Sequence, residues 1–267
     1  MRQDASNRAG QAPGLVTLVA RGPYQATAVL ALSVAAWGFL AWISIDMGHP
    51  LVQLTMPGSP SWSLPSALAI FLMWAVMMAA MMLPSALPMI LTFVHLSVRG
   101  GEHARGRAFV AAYLLMWAGF SAAASALQWA LQALGWVDPM MARASPWLTA
   151  ALLAIAGVYQ FSPLKKVCLA HCRTPFGFLL GEWRPGVAGA FRMGARHGLV
   201  CIGCCWAVMA LLFVGGVMNL AWIAALSIVV AIEKMAPRGE QLSVLLGLVL
   251  IAAGVVKLLA LMDFWMR

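Results

Sequence analysis

Several stretches of the sequence are each long and apolar enough to cross a lipid bilayer as a helix. About 20 consecutive apolar residues span the hydrocarbon core, and a helix is favoured there because it pairs its own backbone polar groups. The chain is 63% hydrophobic and only 9% charged, whereas an ordinary soluble domain is roughly 45–50% apolar and 25% charged. The sequence therefore predicts an all-α, polytopic bundle of transmembrane helices and excludes an ordinary soluble fold.

About seven spanning helices are predicted from apolar length and from the positions of helix-breaking residues. They are expected at Ala26–Ile45, Leu64–Val98, Ala108–Leu134, Pro146–Phe161, His197–Val214, Met218–Met235 and Gln241–Met262. The second helix is longer than one span needs, and Pro84 and Pro88 each remove a backbone donor from it. This pattern indicates either a kinked or broken helix that lines a site, or a tilted helix that only bends.

The domain prediction is a single membrane-embedded unit. Residues 1–25 are expected to form an N-terminal tail, residues 26–262 one transmembrane domain with a loop at 163–196, and residues 263–267 a short C-terminal tail. Under this arrangement 14 of the 17 Lys and Arg residues fall on the side of the N-terminus. Because basic residues favour the cytoplasmic side, the N-terminus and the 163–196 loop are predicted to be cytoplasmic and the C-terminus periplasmic.

The net charge of +9 does not point to nucleic acid. The basic residues lie in short segments between apolar spans rather than on one long basic face, so they are interpreted as topology signals. The lipid bilayer is therefore the predicted partner, and no nucleic-acid partner is expected.

The clearest candidate metal ligands are the three cysteines in the sequence CIGCC. In a helix Cys201, Cys204 and Cys205 share one face, because positions three and four apart point the same way, and His197 and Met209 extend that face. Thiolate, thioether and imidazole donors favour Cu(I), while thiolate and imidazole also bind Zn(II). The alternative is that these small, polarizable cysteines simply pack between helices.

A second candidate group, Cys168, His171 and Cys172, lies in the sequence KKVCLAHCR. In a helix Cys168 and Cys172 face the same way with His171 beside them, and the neighbouring basic residues favour the thiolate form that binds metal. The alternative is that the basic residues only set membrane orientation. All five cysteines fall between positions 168 and 205, which is more typical of a reduced thiol cluster than of a secreted disulfide framework.

Methionines form a third candidate group in the sequence MWAVMMAAMMLPSALPM. Met78 and Met82 lie one helical turn apart and are the predicted ligands from this group, beside a second row formed by Met73, Met77 and Met81. Thioethers bind Cu(I) without bringing charge into the hydrocarbon, whereas Zn(II) would gain little from them. Methionine also fills irregular helix packing, so that interpretation stays open.

Two charged residues, Glu233 and Lys234, end the predicted helix Met218–Met235. Ionisable residues in or near spans are costly and tend to mark function. These two could pair with each other or with a neighbouring helix. Their place at the helix end favours a third interpretation, in which they end the span at the membrane surface.

Together these motifs resemble the DUF2182 family, described as predicted metal-binding integral membrane proteins of bacteria. The resemblance extends from about Trp74 to Lys234. It is carried by MMAAMMLPSALPM, by KxxCLxxC with the following Arg173 and Pro175, by GxxxGxxCxGCCW beginning at Gly194, and by the closing Glu233 and Lys234. The resemblance implies a multi-pass protein of the bacterial inner membrane with a metal site.

These observations favour a non-enzymatic membrane protein that binds Cu(I), or alternatively Zn(II), for transport, delivery or homeostasis. A copper-donating or copper-accepting protein is the expected partner. The sequence has no phosphate-binding motif of the GxxxxGKS type, so movement of the ion would follow a gradient or depend on that partner. The alternatives are a membrane thiol-disulfide oxidoreductase and an accessory subunit whose cysteines only pack.

Overall fold

The computed structural model describes residues 23–56, 62–98 and 103–266, and these are almost entirely helical. The helices in chain order are α1 Pro23–Ile45, α2 Pro50–Gln53, α3 Leu64–Val98, α4 His103–Ala133, α5 Pro146–Tyr159, α6 Pro163–Arg173, α7 Pro175–Glu182, α8 Gly186–Ala210, α9 Leu212–Gly215, α10 Leu220–Met235 and α11 Gly239–Met266. No β-strand occurs within these ranges, which confirms the all-α prediction. Residues 1–22 of the predicted N-terminal tail lie outside the described residues.

Five of the described helices are long and apolar enough to cross a membrane, namely α1, α3, α4, α8 and α11. Helices α5 and α6 meet at a bend of 66° and make a sixth span if they are counted together. The predicted number of about seven is therefore not confirmed. The difference is α10, which has 16 residues; at 1.5 Å per residue it extends roughly 24 Å, less than the roughly 30 Å hydrocarbon core.

The stretch from 163 to 196, expected as a loop, consists mostly of helix. It contains α6, α7 and the first part of α8, which begins at Gly186 rather than at the expected His197. Pro163 and Pro175 begin the two short helices, where the missing N–H would have no helical partner in any case. The Ser162 hydroxyl caps α6 by accepting from the backbone N–H of Lys165 at 3.1 Å. Cys168 and Cys172 therefore lie on a short helix that packs against the bundle.

The prolines in α3 do not interrupt the helix, whose bounds match the prediction. Pro84 has no N–H, so the carbonyl of Ala80 loses its usual helical partner. Trp37 Nε1 donates to this carbonyl at 3.0 Å and Ser33 Oγ at 3.4 Å. Helix α1 thus supplies the missing hydrogen bonds, and the same bonds fix α1 against α3.

Helices α4 and α8 approach so closely that glycine is required at two positions. A Cβ atom on Gly194 would collide with the backbone carbonyl of Phe109, and one on Gly198 would lie 2.7 Å from Met116 Cβ. Small residues four apart allow membrane helices to bring their backbones together. This contact places Tyr113 of α4 against α8, where the cysteines lie.

The basic segments that the charge pattern groups on one side of the membrane also contact one another. Arg105 donates to the carbonyl of Arg184 at 3.0 Å. Arg173 donates to the carbonyls of Ala236 and Pro237, each at 2.7 Å. Which side of the membrane they face stays a prediction.

Replacing Trp37 with Phe is expected to lower the free energy of unfolding by about 1 kcal/mol, because the Ala80 carbonyl loses its shorter hydrogen bond in an apolar environment. Adding Ser33→Ala removes the second donor and should enlarge the loss. Trp42→Phe is the matched control, since Trp42 lies on the same helix and is 37% exposed. Unfolding in detergent micelles measures both variants, and an equal loss for Trp42→Phe would contradict the role of Trp37.

Replacing Gly194 with Ala is expected to lower the free energy of unfolding by about 1–3 kcal/mol, because the added methyl group has no room beside Phe109. Gly119→Ala on α4 is the control, since nothing lies within 4 Å of its added Cβ and alanine is the better helix former. The control should be as stable as the parent protein or slightly more stable. A Gly194→Ala protein of equal stability would show that α4 and α8 are not this close.

Candidate metal centre

Four thiols from two helices meet in the interior of the bundle. Cys201, Cys204 and Cys205 come from α8 and Cys172 from α6; these four are called the thiol cluster. Cys204 Sγ lies 3.1 Å from Cys205 Sγ, 3.9 Å from Cys172 Sγ and 3.1 Å from the backbone carbonyl oxygen of Cys201. Each α8 cysteine is only 1% exposed. The sequence predicted the shared face of CIGCC, and the packing of α6 adds the fourth thiol.

Two sulfurs of the thiol cluster lie close enough together to share one metal ion. The 3.9 Å gap between the sulfurs of Cys172 and Cys204 is less than twice a metal–thiolate bond of about 2.3 Å, so one ion can bond both. Within residues 23–56, 62–98 and 103–266, no three His, Cys, Asp or Glu side chains are already arranged to hold a metal.

A lysine from α10 enters the thiol cluster. Lys234 Nζ lies 3.0 Å from Cys201 Sγ, 3.1 Å from Ser85 Oγ and 3.9 Å from Met82 Sδ. The side chain is buried, and a buried ammonium in an apolar environment is costly without a nearby anion. Cys201 in its thiolate form is the anion that this geometry offers.

The adjacent carboxylate of Glu233 has a different partner. Lys165 Nζ donates to both of its oxygens, at 3.0 and 2.9 Å, and Ser243 Oγ donates at 2.9 Å. Glu233 and Lys234 are both buried within the protein, and Glu233 pairs with a neighbouring helix, which was one of the alternatives; their depth in a membrane stays a prediction. Lys165 was expected to favour the thiolates of its own helix, but its charge is instead bound to Glu233.

Two tyrosines that belong to none of the sequence motifs contact the centre. Tyr113 Oη lies 3.2 Å from Cys201 Sγ and 3.3 Å from the carbonyl oxygen of Met82. Tyr159 donates to the carbonyl of Gly203, between the cysteines of α8. The available signal was their rarity: the chain has 3 tyrosines, and a hydroxyl inside an apolar span needs a partner.

The other predicted thiol and the exposed histidine lie outside the thiol cluster. Cys168 Sγ packs against Gly203, where an added Cβ would be 2.8 Å away. His171 is exposed, and its Nδ1 lies 2.7 Å from the carbonyl oxygen of Val167. Because that oxygen can only accept, Nδ1 carries a proton and Nε2 remains a potential donor to a metal.

His197 lies one helical turn before Cys201 and is 2% exposed. Its ring stacks on Tyr113 at 5.4 Å and on Phe109 at 6.0 Å, measured between ring centroids. Among the described residues neither ring nitrogen has a hydrogen-bond partner. The predicted stripe of His197 and the α8 cysteines thus faces the interior.

The predicted methionine ligands are all fully buried. Met82 reaches the centre through its contact with Lys234. Met78 lies one turn from Met82 along α3, and Met209 one turn from Cys205 along α8. The structure therefore brings Met82 to the thiols and leaves Met78 and Met209 in the surrounding core.

Comparison with known protein families gives a match over most of the chain. A family model named PpoB2 and described as a copper chaperone matches residues 71–257, a range that contains every side chain of the centre. No curated protein and no solved structure matches this chain. The motifs resembled DUF2182, and the family found is a copper-associated one under another name. Because the match covers more than half of the chain, this protein belongs to the PpoB2 copper chaperone family.

Proposed function

We propose that this protein binds Cu(I) as cargo inside the membrane and exchanges it with a copper-donating or copper-accepting protein. The observation that carries the proposal is the convergence of Cys172, Cys201, Cys204 and Cys205 in the buried centre. The copper chaperone description of the family supports copper as the ion. In this proposal the protein is a carrier and not an enzyme.

The donor chemistry supports Cu(I) over Zn(II). The side chains around the centre offer thiols and the thioether of Met82, which are soft ligands, while the nearby carboxylate of Glu233 is held by Lys165. Structural Zn(II) takes four ligands in a tetrahedron, whereas Cu(I) is stable with two or three soft ones. Soft donors from the thiol cluster and Met82 therefore support Cu(I) as the ion.

The charge balance of the centre also suits a monovalent ion. Two thiolates carry a charge of −2, and Cu(I) together with the Lys234 ammonium carries +2, so a centre with two thiolate ligands is neutral. Neutrality matters because the site is buried among apolar side chains, where a net charge is costly. The 3.0 Å contact of Lys234 Nζ with Cys201 Sγ places the balancing charge directly on a ligand.

Burial of the thiols argues against the rival function of a thiol-disulfide oxidoreductase. Thiol exchange requires that a partner sulfur reach the attacked sulfur, and the three α8 thiols are each 1% exposed. Only Cys172 within the thiol cluster is partly exposed. A small ion can reach the buried sulfurs where a protein thiol cannot.

We also propose a location in the bacterial inner membrane, with the N-terminus cytoplasmic, the C-terminus periplasmic and the thiol cluster near the cytoplasmic surface. The distribution of basic residues supports this orientation. The cytoplasm also keeps thiols reduced, as a Cu(I) ligand set requires. Arg105 donates to the carbonyl of Arg184, and Arg173 donates to the carbonyl of Ala236. These contacts between basic segments support their location on one common side.

Replacing Cys201, Cys204 and Cys205 together with Ser is expected to abolish Cu(I) binding, because a hydroxyl is a hard and weak ligand for this ion. The protein purified under anaerobic, reducing conditions should bind about one Cu(I) per chain, measured by metal analysis and by competition with a Cu(I) chelator. A triple variant that retains as much Cu(I) as the parent protein would remove the proposal.

The two cysteines of α6 provide a matched pair of variants. Cys172→Ser is expected to weaken Cu(I) binding, since Cys172 Sγ lies 3.9 Å from Cys204 Sγ. Cys168→Ser is expected to bind Cu(I) as the parent protein does, because Cys168 packs against Gly203. Competition with the same chelator ranks the two affinities. The reverse order would show that Cys168, and not Cys172, is the ligand that α6 supplies.

Replacing Lys234 with Met is expected to weaken Cu(I) binding by at least about tenfold, because the two-thiolate centre is left with an unbalanced negative charge in a buried place. Lys257→Met is the control, since Lys257 lies exposed on α11. Both affinities are measured against a chelator, with thermal unfolding of each variant as a check on folding. Equal affinities would contradict the charge-balance argument.

A further inference from the structure

His197 is a buried polar side chain without a structural partner, and it lies next to the proposed metal centre. Both ring nitrogens lack a hydrogen-bond partner among the described residues, although burial of an unpaired polar group is unfavourable. The ring is surrounded by Phe109, Tyr113 and Phe178 at 6.0, 5.4 and 5.6 Å between centroids. An apolar residue would pack here at a lower cost, so the imidazole calls for an explanation other than stability.

One wall of this aromatic enclosure also faces a cavity at the protein surface. Phe178 lines a cavity of about 210 Å³ together with His171 and Glu182. The His171 ring stands edge-on to Phe178 at 6.4 Å, and Phe178 stands edge-on to His197 at 5.6 Å. A single phenyl ring therefore separates an exposed imidazole from a buried one.

The two histidines and the thiol cluster form an ordered series. His171 is exposed, His197 is buried one turn from Cys201, and Cys201 belongs to the thiol cluster. Imidazole is a borderline donor and thiolate a soft one, so the preference for Cu(I) rises along the series. The Nδ1 of His171 is fixed by the Val167 carbonyl, an arrangement that leaves Nε2 as the metal-binding atom in many histidine sites.

We propose that His197 is a transit site through which Cu(I) passes between the surface cavity at His171 and the thiol cluster, with Phe178 as the side chain that separates the two. This inference rests on the proposed function. In the transfer step the bond from Cu(I) to a His197 nitrogen breaks as a bond to Cys201 Sγ forms. The ion stays Cu(I), and the Lys234 ammonium balances the Cys201 thiolate before and after the step.

The decisive variant is His197→Phe, which keeps an aromatic ring in the stack and removes only the two nitrogen donors. It is expected to take up Cu(I) from a chelator at least about fivefold more slowly, while the amount bound at equilibrium stays that of the parent protein. It should also unfold at the same temperature or higher, because the unpaired nitrogens are gone. Stopped-flow measurement of Cu(I) transfer from a coloured chelator gives the rates, and thermal unfolding gives the stability.

A second pair of variants tests the separating ring. Phe178→Ala is expected to speed Cu(I) uptake, because it opens the enclosure between His171 and His197. Phe176→Ala is the matched control on the same helix, and its rate should remain that of the parent protein. Equal acceleration in both variants would mean that α7 has merely loosened, which would overturn the role given to Phe178.

The outcomes separate this inference from the proposed function. If the parent protein binds no Cu(I) at equilibrium, the proposed function fails and the transit site fails with it. If the parent protein binds Cu(I) and His197→Phe loads at the parent rate, the proposed function stands and the transit site is wrong. If His197→Phe loses bound Cu(I) at equilibrium, His197 is a permanent ligand and not a transit site.

Discussion

The contact between the Lys234 ammonium and the Cys201 thiol is the interaction around which the interior of this bundle is organised. A charge in an apolar interior has to be stabilised by surrounding polar or oppositely charged groups. Here helices α3, α4, α8 and α10 each contribute side chains to this arrangement. Ser85 and Met82 of α3 contact the Lys234 ammonium. Tyr113 of α4 contacts the sulfur of Cys201. The close packing of α4 on α8 at Gly194 and Gly198 is what allows the tyrosine to reach it.

Backbone hydrogen bonding imposes a second constraint of the same kind. Membrane-embedded proline leaves a carbonyl that no water can satisfy, and at Ala80 the deficit is met by Trp37 and Ser33. The helix that contains most of the buried methionines can therefore carry prolines and remain continuous. Its apolar length was visible in the sequence, but the helix that completes its hydrogen bonds was not.

What the sequence could predict follows from the range of the interactions involved. The bounds of α3 and the shared face of Cys201, Cys204 and Cys205 depend on local periodicity, and the structure has both. The helices within 163–196 escaped prediction because they are short and begin at prolines, so apolar length does not reveal them. The pairing of Lys165 with Glu233 joins residues 68 positions apart, and only the packing of α6 on α10 brings them together. The same packing decides that Cys172, and not Cys168, joins the other thiols.

The adjacent pair Glu233 and Lys234 also fixes the rotation of α10 about its own axis. Consecutive residues on a helix point about 100° apart, so one side chain faces Lys165 and the other faces Cys201. Turning α10 by one residue in one direction would present the Glu233 carboxylate to the sulfurs, and turning it in the other direction would present the Lys234 ammonium to Lys165, so either turn sets like charges against each other. The order of Glu233 and Lys234 in the sequence therefore favours one rotation of α10 about its axis by electrostatics alone. This preference does not depend on a bound ion.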